Sequence, residues 1–138
     1  MASMEGFLES YRLPFAPFQE LIQSTNSLVA GSAALALYLQ QHGVDPGFTP
    51  SDMDIWAEDT LDLVASRGAY QQHGNLYRFS NFLLKNGFNV MMKCDPRETD
   101  YENFHQITHI LSYINRDGKK IQLILLREKD LFQYIYHN

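Results

Sequence analysis

Between Ser27 and Trp56 the hydrophobic pattern changes three times, and the order of those changes limits the fold more than anything else in the chain. Ser27-Leu28-Val29-Ala30 is an apolar run too short for a helix and reads as a buried strand. It stops at Gly31-Ser32 and passes into AALALYLQQ, a run of strong helix formers that ends at Gly43, where a C-terminal glycine belongs. Val44 to Pro50, rich in Gly and Pro, is a loop. Ser51-Asp52-Met53-Asp54-Ile55-Trp56 then alternates with a period of two. Met53 and Ile55 share one side of a strand, and Asp52, Asp54 and Trp56 share the other. A strand, a tight turn, a helix and a second strand in so little chain require a sheet with a helix against it.

The remaining segments extend that plan. Met1 to Ala16 reads as an arm packed on the domain, and Phe18, Leu21 and Ile22 have helical spacing behind Pro17, which is tolerated in a first turn. Asp59 to Ser66 is expected to be a short helix. Leu76 to Asn86 is expected to be a longer one with Leu76, Phe79, Leu83 and Leu84 inward and Gly87 at its end. Phe88 to Lys93 reads as a strand and Asp95 to Asn103 as an acidic loop. Ile107–Asn115 and Lys119–Arg127 form a hairpin about Arg116-Asp117-Gly118-Lys119. Closure across Asp117-Gly118 pairs Ile114 with Ile121 and sets Tyr113 opposite Gln122. Lys129 to His137 reads as a last helix. The fold class expected is α/β or α+β: one domain over residues 1–138, with a mixed sheet of about four to five strands flanked by helices.

Composition fits a packed domain. The 138 residues are 45% hydrophobic and include nine Phe and eight Tyr, enough for a core without staples. The single cysteine, Cys94, forms no internal disulfide, and a lone thiol excludes a cysteine-based zinc cluster. The N-terminal MASMEGFLES has acids where a signal peptide has lysines, and the longest apolar stretch, Ala33 to Leu39, is too short to span a bilayer. The expected setting is intracellular, cytoplasmic or viral, with no secretion and no membrane partner. Eleven Lys and Arg against sixteen Asp and Glu give a formal charge of −5, and no basic block is present to neutralise phosphates. That argues against a general DNA- or RNA-coating role, while leaving room for a small anion bridged by a metal.

The chemistry lies in the same stretch that fixes the fold. Gly31-Ser32 sits at a strand-to-helix turn, where free backbone N–H groups and the helix dipole attract phosphate. Asp52 and Asp54 project from one face of the next strand, and carboxylates two apart can close on one divalent cation or a pair. The run VAGSAALALYLQQHGVDPGFTPSDMDIW resembles the nucleotidyltransferase superfamily typified by DNA polymerase beta. SDMDIW in particular looks like uncharacterised nucleotidyltransferase-like proteins of fungi and large DNA viruses. The close resemblance covers about a fifth of the chain. It implies that Gly31 and Ser32 hold the phosphates of an NTP, that Asp52 and Asp54 bind Mg²⁺ or Mn²⁺, and that a third carboxylate on a later strand helps to activate an acceptor hydroxyl.

At that third position the sequence departs from the pattern: the matching run, Lys120-Ile121-Gln122-Leu123-Ile124, carries Gln122. An amide accepts no proton from a nucleophile and ligates Mg²⁺ more weakly than a carboxylate. Two readings follow, an active transferase using another acid (Asp95, Glu58 and Asp59 are near in sequence) or a degenerate fold kept as a protein-interaction module. Trp56 falls on the Asp face, where it either stacks on a base or packs at a strand end. His105 and His109 have the spacing of a helical zinc site, but they lack its glutamate and read as partly exposed strand residues. Cys94 reads as a half-buried residue at a strand end. Phe132, Tyr134 and Tyr136 offer aromatic surface for packing or for a partner.

Overall fold

The computed structural model describes residues 4–45, 47, 52–60, 74–95 and 106–127. Among the described residues nine elements follow one another: α1 (Met4–Glu9), α2 (Phe15–Ser24), β1 (Leu28–Ala30), α3 (Gly31–Gln41), β2 (Asp52–Asp59), α4 (Asn75–Lys85), β3 (Asn89–Cys94), β4 (Ile107–Ile114) and β5 (Lys120–Arg127). The five strands form one sheet in the order β1-β2-β5-β4-β3. β2 and β5 run parallel at its centre, and the other three pairings are antiparallel. This is a mixed α+β fold, as the alternation of segments implies. No helix among the described residues is long and apolar enough to cross a membrane.

One face of the sheet carries most of the core. Met53, Ile55 and Ala57 of β2, Ile121, Leu123 and Leu125 of β5, and Leu111 and Tyr113 of β4 bury themselves against α1, α2 and α4. The period of two in β2 and β5 makes this inevitable, because every second residue there is apolar. On α4, Phe79 and Leu83 are fully buried at the four-residue spacing of one helical face. Leu84 was expected inward but is 51% exposed. It lies five residues from Phe79, about 140° around the helix, and half-buried Phe82 packs on the core instead.

The expected N-terminal arm is a helical turn followed by a tight reversal. Phe7, Leu8, Tyr11 and Leu13 are all buried, so the arm packs on the domain as expected and contributes to its core. Arg12 takes a left-handed φ of 58°, which lets the Leu13 N–H return to the Leu8 carbonyl at 3.0 Å. Its guanidinium holds the carboxylate of Asp117 in the β4–β5 turn, keeping that carboxyl below its ordinary range.

Three further expectations are corrected. β1 is a half-buried, three-residue edge strand and not a buried one, because only β2 flanks it. β2 continues to Asp59 through its pairing with β5, so the helix expected at Asp59 does not begin there, and its remainder at 61–66 lies outside the described residues. In the hairpin, Asn115 closes a three-residue loop: its N–H donates to the Lys119 carbonyl at 3.1 Å, and its side-chain oxygen accepts from the N–H of Asp117 and of Lys119, each at 3.0 Å. Gly118, at φ 79°, supplies the left-handed residue such a loop needs. The pairing therefore slips by one from the expected register. Tyr113 faces Ile121 in the core, and Ser112, not Tyr113, lies opposite Gln122. The segments expected at 96–103 and 129–137, with His105, Phe132, Tyr134 and Tyr136, lie outside the described residues.

Candidate functional site

The second face of the sheet divides along its length. At one end Trp56, Ile107, Ile110, Ile124 and Leu126 form a smaller apolar cluster against which Leu28, Ala30 and Cys94 pack. At the other end polar residues replace them. Parallel register sets Asp52 opposite Lys120 and Asp54 opposite Gln122. β4 adds Ser112 beside Gln122, and β1 brings Ala30 beside Asp54. Asp52, Asp54, Ser112, Lys120, Ile121 and Gln122 line a cavity of about 120 Å³.

Gly31 comes directly after Ala30 and opens α3 with φ 81°. A Cβ at this position would stand 2.9 Å from Asp54 Oδ2, closer than real side chains come. The chain needs glycine here twice over, for the left-handed turn and for the approach of the carboxylate. The strand-Gly-helix motif and the Asp-x-Asp strand, distant in sequence, are thus in contact through Gly31 and Asp54. Ser32 is the second residue of α3.

The charge of Asp52 acts on Asp54. Asp54 is half buried, and burial first and the charge of Asp52 second push its carboxyl above the ordinary value. Tyr11, fully buried, has a hydroxyl with no hydrogen-bond partner among the described residues. Burial raises its pKa most, with Asp52 and Asp54 adding to the effect. The Lys119 ammonium lies 5.1 Å from the centre of the Tyr11 ring on a neighbouring element.

Such a site suits a hard divalent cation. Carboxylate, amide and hydroxyl oxygens are the donors that Mg²⁺ and Mn²⁺ prefer, and two of those present are charged. Among the described residues no three His, Cys, Asp or Glu side chains converge as a metal set; Gln122 and Ser112 are the other side chains with oxygen atoms lining the cavity beside the two aspartates. A wider groove of about 320 Å³ lies between α2 and α4, with Glu20, Tyr77, Arg78 and Lys85 among its lining residues. Its Arg78 already donates to Ser24 Oγ at 2.6 Å, and it has no pair of carboxylates.

The other residues singled out in the sequence fall elsewhere. Trp56 shares the face of Asp52 and Asp54 but is 7% exposed, packed in the apolar cluster and not among the residues lining the cavity. Asp59 and Glu58 stand at the far end of β2, and Asp95 follows β3; none lines the cavity. Asp59 instead approaches His109 Nε2 at 3.5 Å. Cys94 is half buried at the end of β3. Sequence reasoning passed over Ser112 and Lys120 as residues lining the cavity, and over the burial of Tyr11 within electrostatic reach of Asp52 and Asp54. Lys120 was within reach, since it lies two residues before Gln122 on a strand and must share its face. Ser112 depends on the three-residue loop, and nothing local to Tyr11 signals its neighbours.

Comparison with protein-family models, curated proteins and solved structures returned no match.

Proposed function

We propose that this chain is a metal-dependent nucleotidyltransferase-like protein, moving a nucleoside monophosphate from an NTP to an acceptor hydroxyl. The observation that carries the reading is the close approach of Gly31 to Asp54, a residue that itself lines a cavity with Asp52 and Gln122. It joins a helix N-terminus able to receive phosphate oxygens to carboxylates able to hold a cation. Asp52 and Asp54 would hold Mg²⁺ or Mn²⁺, which when bound screens phosphate charge and polarises the phosphoryl group under attack. Gly31 leaves the first turn of α3 open to the phosphates, and Ser32 follows it in that turn. Half-burial of Asp54 withholds water that would otherwise solvate its charge, strengthening its attraction for a cation.

A second reading has its own support, the register of Gln122 with Asp54. A neutral amide in that place removes the group that would take the acceptor's proton, as a catalytically degenerate fold serving as a protein-interaction module would require. Thermal melts with each of the four NTPs, with and without Mg²⁺ or Mn²⁺, separate the two. Ligand at 100 times its dissociation constant stabilises by about 2.7 kcal/mol, which a melt resolves. A metal-dependent rise with one or more nucleotides is expected. No shift with any of them would remove the enzyme reading and leave the module.

A further inference from the structure

Lys120 is the one cationic side chain lining the cavity among the described residues, and it stands directly across from Asp52 in parallel register. β5 leaves the loop at Lys120, and the period of two that turns Ile121 into the core turns Lys120 and Gln122 toward the aspartates. The cavity thus contains two carboxylates, one ammonium, one neutral amide and one hydroxyl. Two divalent cations about 4 Å apart repel strongly, and a pair is held only where carboxylates outweigh that repulsion. Here the formal charge of the lining is −1, since Lys120 offsets one aspartate and Gln122 contributes nothing.

We propose that this site takes a single divalent cation, with the Lys120 ammonium supplying to a ligand's phosphates the positive charge that a second cation would bring. The inference rests on reading Asp52 and Asp54 as cation ligands. Asp54, half buried and in contact with Gly31, anchors the ion, while Asp52 is shared between the ion and Lys120. A nucleoside triphosphate meets the ion on one side and the ammonium on the other.

The probe is Mn²⁺ alone, titrated into the full chain and followed by the electron paramagnetic resonance of the free ion. Wild type is expected to bind one Mn²⁺, which Asp54→Asn abolishes. Lys120→Met removes a repelling charge from an exposed position where the fold asks little of the side chain. It should bind the single ion about tenfold more tightly, the discount from full Coulomb strength reflecting solvent screening. Lys120→Glu supplies a third carboxylate in place of the ammonium and should admit a second Mn²⁺. Circular dichroism confirms that each variant is folded. Two ions in wild type, unchanged affinity in Lys120→Met or a single ion in Lys120→Glu would each overturn the proposal. Failure of wild type to bind any Mn²⁺, or binding that survives Asp54→Asn, would instead overturn the underlying assignment of the aspartates, a distinct result.

Discussion

The two faces of the sheet are made by alternate residues of the same strands, yet they meet opposite demands. Met53, Ile55, Ile121 and Leu123 are sealed beneath three helices. Asp52, Asp54, Lys120 and Gln122, their immediate neighbours in sequence, surround a small cavity on the other side. A strand paired on both edges is rigid whatever its side chains do, so the packed face supplies the stiffness and the polar face need supply none. That division allows two like charges to sit side by side. Substitutions on the packed face should therefore act on stability alone, and substitutions on the polar face mainly on ligand response.

The largest effect tests the packed face. Phe79→Ala empties a fully buried position between α4 and the sheet and should cost about 3–5 kcal/mol, measured by urea denaturation. Tolerance of that change would mean that α4 is not bound to the sheet as described. Gly31→Ala comes next and probes the junction between the faces. Its left-handed φ alone should cost about 1–2 kcal/mol, and the contact with Asp54 adds to it. Asp54→Ala removes the Oδ2 in contact, so Gly31→Ala should cost less in that background; strictly additive penalties would show that the approach carries no energy.

How much of this was legible in the sequence follows from the range over which each feature is decided. The alternation of β2 and the helix formers of α3 are local; α3 emerged with nearly the right bounds, while β2 runs three residues beyond Trp56 because its pairing with β5 continues there. The common side of Asp52 and Asp54 on β2 was also legible, because parity along a strand is fixed once its pattern is known; whether Gln122 turns to that side or into the core was not. Nor was the hairpin partner of Gln122. It turns on whether Asn115 closes a two- or a three-residue loop, and its side-chain oxygen decides that by accepting from Asp117 and Lys119. The packing of the N-terminal arm was legible but its helix α1 was not, because burial of Leu8 and Tyr11 against distant strands has no local signal beside Pro14 and Pro17. The crossing of β2 with β5, which brings Lys120 to Asp52, is a long-range event with no short-range mark.

A smaller effect sharpens the polar side. Gln122→Glu places a third carboxylate beside Asp54 and should lower apo stability by on the order of 1 kcal/mol, recovered on adding Mg²⁺. A loss that Mg²⁺ leaves untouched would place the Gln122 side chain in the packing and outside the cation's reach.

The smallest expected effect has the opposite sign and distinguishes the faces most cleanly. Asp54 has its carboxyl raised in the folded chain, by burial and then by Asp52, so ionisation costs more folded than unfolded. Through the window between its unfolded value and its raised folded value the native state binds more proton, and stability from this group falls as pH rises. Above the folded value the full penalty is present; below the unfolded one it is gone. Asp54→Asn carries no such charge at any pH. It should melt at the same temperature as wild type or slightly higher at pH 7, by less than about 1 kcal/mol. The advantage should shrink on acidification through the carboxylate range, and the variant should show no stabilisation by Mn²⁺. A variant that melts several degrees lower at pH 7 would make Asp54 a structural hydrogen-bond acceptor. The polar face would then be holding the sheet together after all, and the division of labour between the two faces would fail.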